Sequence, residues 1–91
     1  MSDSIDQIEK CRKQIDVIDD HLIKLLGLRF ELVRKIGEYK AKHELPVVDH
    51  DRKLQVSNNW HYLGKKSGLS EWFVASFFKL VHDYAIKEES E

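Results

Sequence analysis

The sequence predicts an all-α fold, with one long N-terminal helix followed by two shorter ones. Three observations predict it. A heptad of apolar positions runs without a break from Ile8 to Tyr39. The single proline, Pro46, falls just beyond that repeat. No stretch alternates apolar and polar residues as a half-buried strand would.

The first helix is expected from about residue 5 to 42. One set of seam positions reads Ile8, Ile15, Leu22, Arg29 and Ile36; the other reads Cys11, Ile18, Leu25, Leu32 and Tyr39. Gly27 and Gly37 are its weak points. At 1.5 Å per residue this helix is roughly 55 Å long. A compact domain of this size is only about 25 Å across. The far end therefore needs cover from another molecule.

The stretch from Glu44 to Val48 is a short connector, in which Pro46 steers Leu45 away from helical geometry. Asp49 is placed to cap a second helix from about 50 to 64, anchored by Leu54, Val56, Trp60 and Leu63. The glycines of Gly64-Lys65-Lys66-Ser67-Gly68 break the chain. Ser70 caps a third helix, with Glu71 favoured in its first turn. Phe73, Phe77, Leu80, Val81 and Tyr84 line one face of it. Trp60, Trp72 and the phenylalanines read as core.

Length and composition bound the function. The 91 residues form one domain, 1–91, with 34% charged and 42% apolar residues, as in ordinary soluble proteins. Fifteen basic residues stand against 16 acidic ones. This gives no basic field for nucleic acid and no polybasic strip for a membrane. No apolar run approaches the roughly 20 residues that a bilayer requires. The polar, acidic start MSDSIDQIEK is not expected to be a secretory signal. With the lone Cys11 unable to form an internal disulfide, a reducing cytoplasm is the expected location. The five histidines lack partners at ligand spacing, so no metal is expected.

Charge inside the seam is the main pointer to chemistry. A buried guanidinium at Arg29 needs an anionic partner. That partner is either an acid of the protein, such as Asp19 of another chain, or a ligand. Arg29 and Lys40 are separated by about 20° around the helix axis and roughly 16 Å along it, so they could grip the two ends of a small anion. Arg12 lies roughly 25 Å from Arg29 on the same helix. Only an antiparallel second copy could bring it to the same site. Burial and the third cation both call for a homodimer with shared sites. Read as a plain coiled coil, Arg12 and Lys40 would merely flank the seam, Asp49 would be a helix cap and Arg52 a surface residue.

The ordered set Arg12-Lys13-Gln14-Ile15-Asp16-Val17-Ile18-Asp19, Leu25-Leu26-Gly27-Leu28-Arg29, Ile36-Gly37-Glu38-Tyr39-Lys40 and Pro46-Val47-Val48-Asp49-His50-Asp51-Arg52 resembles the all-helical class of chorismate mutases. Gly68-Leu69 and Phe73-Val74 extend the likeness over nearly the whole chain. Single pieces such as the IDxID pattern are weak, whereas the set with its spacings is specific.

The resemblance implies an intertwined homodimer of three-helix chains. It also implies a concerted rearrangement of chorismate to prephenate, which feeds phenylalanine and tyrosine synthesis without nucleophile, metal or cofactor. Such an enzyme folds a flexible dicarboxylate into its reactive conformer and stabilises charge on the breaking ether oxygen. By this pattern Arg29 binds one carboxylate and the partner chain's Arg12 the other. Lys40 donates to the ether oxygen, Asp49 contacts the substrate hydroxyl, and Arg52 lies near that end. Ile36 and Ile86 supply apolar walls. Three residues depart from it. Lys53 stands where a glutamate often helps with the hydroxyl, and Ala85 where a serine often contacts a carboxylate. Glu89 stands where many members have glutamine as second donor to the ether oxygen, and a glutamate donates only when protonated. An isochorismate-pyruvate lyase of the same fold, and a catalytically silent helical dimer that binds an effector or partner enzyme, are the rival readings.

Overall fold

The computed structural model describes residues 2–90. It contains three helices, α1 (Ser2–Lys42), α2 (His50–Lys66) and α3 (Glu71–Ser90), and no strand among the described residues. The all-α expectation is met. Its contacts divide the chain after Glu31 into two compact units.

The first unit is the N-terminal part of α1. Its heptad residues are open to solvent: Ile8 is 50% exposed, Ile15 52%, Ile18 61% and Leu25 63%. None of its described residues is fully buried. The sequence marks these positions as a buried seam, but nothing within this unit covers them. The reason is geometric, because a single helix has no opposite wall.

The second unit, Leu32–Glu91, holds the end of α1 together with α2 and α3. The α2 and α3 helices pack on each other. Capping is as the sequence dictates. Asp49 Oδ1 accepts from the Arg52 backbone N–H at 3.1 Å, and Ser70 Oγ accepts from that of Phe73 at 3.1 Å. The second helix, however, does not stop at Gly64 but continues to Lys66. Gly64 is buried inside it, against α3. A Cβ there would fall 2.5 Å from Val74 Cγ2, so the glycine opens a notch that Val74 fills. The real stop is Gly68, at φ 76°, which closes a Schellman turn through Leu69 N–H to Gly64 O at 2.9 Å.

Seating Val74 in that notch fixes the rotation of α3. Val74, Phe78 and Val81 form the buried core, 5%, 9% and 4% exposed. The predicted face of α3 is thus displaced by one residue, about 100°. Of its members Val81 is buried and Phe77 half-buried, while Phe73, Leu80 and Tyr84 face solvent. Trp72 is 76% exposed instead of core, because it lies roughly 200° around the helix from Val74. On α2, Val56 and Trp60 are half-buried, but Leu54 and Leu63 are not. Trp60 meets the edges of Phe77 and Phe78 at 5.6 and 5.5 Å between centroids, a favoured aromatic geometry.

Candidate active site

The site is built where α1 ends. Its last turn closes as a second Schellman motif: Leu45 N–H donates to Lys40 O at 2.8 Å and Glu44 N–H to Ala41 O at 3.4 Å. Glu44 occupies the left-handed position that glycine usually fills, at φ 56°. This turn folds the connector back over Lys40. The Lys40 ammonium then donates to Val47 O at 2.7 Å, so its backbone and its side chain both hold the connector.

A second acceptor reaches the same ammonium from α3. Lys40 Nζ donates to Glu89 Oε1 at 2.8 Å, and the two side chains are only 19% and 11% exposed. An ammonium carries three N–H donors. Two are spent on Val47 and Glu89, and the third has no acceptor among the described residues. The cation is therefore fixed in place before any ligand arrives, which is what electrostatic catalysis requires. An open hollow beside it is lined by Lys40, Leu45, Pro46, Val48, Asp49, His50 and Asp51. Lys40 and Asp49 thus share one depression, with Asp49 at the start of α2.

The remaining predicted residues are placed as follows. Ala85 and Ile86 are half-buried on α3, one turn before Glu89. Ile36 is 48% exposed. Arg52 is exposed and its Nη1 donates to Gln55 Oε1 at 3.4 Å. Lys53, one of the departures, is exposed on α2. In the first unit, Arg29 is half-buried, while Arg12 pairs with Glu9 of its own helix at 2.8 Å. With side chains 68% and 55% exposed, that pair contributes little. Asp83, on the exposed side of α3, has its carboxyl held below the ordinary range, chiefly by a hydrogen bond from Lys79; it lies outside the site.

Sequence reasoning missed two partners of Lys40's surroundings. One is the Val47 carbonyl, a main-chain atom with no sequence signature. The other is an ion pair between Arg34 Nη1 and Glu88 Oε2 at 3.7 Å, which joins α1 to α3 beside Glu89. Among the described residues no three His, Cys, Asp or Glu side chains cluster as metal ligands. No described helix is long and apolar enough to cross a membrane.

Residues 11–90 match the family of type II chorismate mutases. The chain belongs to that family. Its relatives include a chorismate mutase of Methanocaldococcus jannaschii, 25% identical over 93% of this chain and 88% of that protein. A bifunctional chorismate mutase/prephenate dehydratase of Buchnera aphidicola is 31% identical over 82% of this chain, but over 20% of its own length. A 4-amino-4-deoxychorismate mutase of Streptomyces pristinaespiralis is 24% identical over 94% of this chain and 67% of that protein. This chain therefore spans only 14–21% of the length of the bifunctional chorismate mutase/prephenate dehydratases that it matches. The match takes in every mutase-pattern residue named above, from Arg12 to Glu89.

Proposed function

We propose that this chain is a chorismate mutase, working in the cytoplasm as a homodimer whose shared sites rearrange chorismate to prephenate. One observation carries the reading: the Lys40 ammonium, part-buried, is anchored at two points, and its third N–H meets no acceptor among the described residues. A donor so placed suits an oxygen that gains negative charge as its bond breaks. The reaction balances within the substrate, because the ether C–O bond breaks as a C–C bond forms. The protein supplies only conformation and charge.

In this reading the carboxylates go to Arg29 and to the partner chain's Arg12, since planar guanidiniums fit carboxylates in a bidentate fashion. Asp49 takes the substrate hydroxyl, with Arg52 beside it. Ile36 and Ile86 line the ring, Ala85 lies beside a carboxylate, and Glu89 is the second group at the ether oxygen. The open seam of the first unit supports the dimer, because exposed apolar residues at this spacing are the usual surface of helix pairing. One domain, 1–91, then carries half of each site.

The test is to incubate the pure protein separately with chorismate, isochorismate and 4-amino-4-deoxychorismate and to identify the products. Prephenate from chorismate is expected. Salicylate and pyruvate from isochorismate alone would make it the lyase. Conversion of the amino compound alone would move the substrate class. Binding without conversion of any of the three would leave a silent helical dimer.

A further inference from the structure

On α1, Arg34, Gly37 and Lys40 follow one another at intervals of three and meet the last turn of α3. Arg34 pairs with Glu88 at 3.7 Å, and Lys40 with Glu89 at 2.8 Å. Between them Gly37 is buried, and the contact there is backbone to backbone. A Cβ on Gly37 would lie 2.8 Å from Glu89 O, 2.9 Å from its Cα and 3.3 Å from its C. None of these atoms is the tip of a flexible side chain. A methyl group at 37 forces the helices apart by roughly 1 Å before ordinary contact returns.

We propose that Gly37 is a positioning residue, whose missing side chain sets the distance between the Lys40 ammonium and the Glu89 carboxyl. The inference rests on the assignment of those two groups to the ether oxygen. The Lys40 stem is long and could follow a small shift. Glu89 could not, because its own backbone is what moves. Ser90 Oγ donates to Ile86 O at 2.8 Å and keeps this last turn helical, so the displacement carries the whole turn. A misplacement of about 1 Å at a reacting centre lowers turnover by as much as a hundredfold.

The experiment compares Gly37→Ala, Glu89→Ala and the double variant. Gly37→Ala is expected to lower kcat about ten- to a hundredfold with KM nearly unchanged, because the Lys40 ammonium loses the Glu89 anchor that holds it in place for the transition state. In the Glu89→Ala background, adding Gly37→Ala should cost nothing further, since there is no carboxyl left to misplace.

Thermal melting separates the geometry from the chemistry. A glycine-to-alanine change in an unobstructed helix raises Tm by about 4 °C. Here Tm should stay level or fall. A rise of that size with kcat intact overturns the proposal, and so does an equal loss of kcat in both backgrounds. If Glu89→Ala leaves kcat untouched while Gly37→Ala still lowers Tm, the contact stands and the catalytic assignment of Glu89 fails, and the proposal with it. Should Gly37→Ala not fold, ending the chain after Glu88 in that background removes the obstructing backbone. Folding is then expected to return, and failure to return refutes the proposal.

Discussion

Replacing Glu89 with glutamine separates two jobs that the proposed reading gives to one carboxyl. As an acceptor it holds Lys40 at 2.8 Å, in surroundings where the two side chains are 19% and 11% exposed. The glutamine amide oxygen can still accept there. A hydrogen bond between charged groups contributes about 1 kcal/mol more than one with a neutral partner, so the variant should lose that much stability. For a chain of this size the loss appears as a fall in Tm of about 4–8 °C. The chemistry runs the other way. A carboxylate beside an oxygen that gains negative charge opposes the reaction, and it helps only while it carries its proton. An amide donates without having to carry an acidic proton, so Glu89→Gln should raise kcat by about tenfold, or 1.4 kcal/mol of barrier. The assay is kcat for both forms under the same conditions, with melting curves alongside. A rate that does not change on substitution would refute the reasoning and place Glu89 outside the reacting centre.

Lys40→Ala should reduce kcat by at least about a hundredfold, measured as prephenate formed from chorismate, because a preorganised donor is lost; an unchanged rate would dismantle the site. Arg29→Ala should abolish substrate binding in a calorimetric titration while the helical circular dichroism persists, and a variant that instead unfolds would make Arg29 structural. Arg12→Ala and Arg29→Ala, each inactive, should recover activity on subunit exchange, because a mixed dimer rebuilds one of its two sites. A monomeric mass at micromolar concentration, or no recovery after proven exchange, would exclude shared sites. Glu44→Gly should stabilise the chain by about 1 kcal/mol, since a left-handed non-glycine residue is strained; a lower Tm would show that the Glu44 side chain makes a contact of greater value.

What could be read in advance follows the range of each interaction. The caps at Asp49 and Ser70 were legible, because a cap is a local bond three residues long. The end of α1 at Lys42 was legible from Pro46, but the form of its turn was not, since its left-handed residue is a glutamate and not a glycine. Gly64 reads as a helix breaker from propensity, yet its purpose is a notch for Val74, a neighbour that only the packed structure supplies. Gly37 is the same case, a weak point in the sequence and a close approach in the fold. Lys40 and Glu89 lie 49 residues apart, and only the family pattern placed them at one oxygen before the structure paired them. Periodicity marked the seam from Ile8 onward as a surface needing cover, but a repeat does not say what provides the cover.

The small closed core has a consequence for how this chain behaves as a population. Val74, Phe78 and Val81 are the buried apolar side chains among the described residues. A core of that size leaves little margin against the conformational entropy of the chain. If a second copy completes the fold, as proposed, folding becomes a mass-action equilibrium and stability grows with the logarithm of concentration. Dilution then acts as a denaturant. The amount of chain made, as much as the residues it contains, would determine what fraction of it is folded and active.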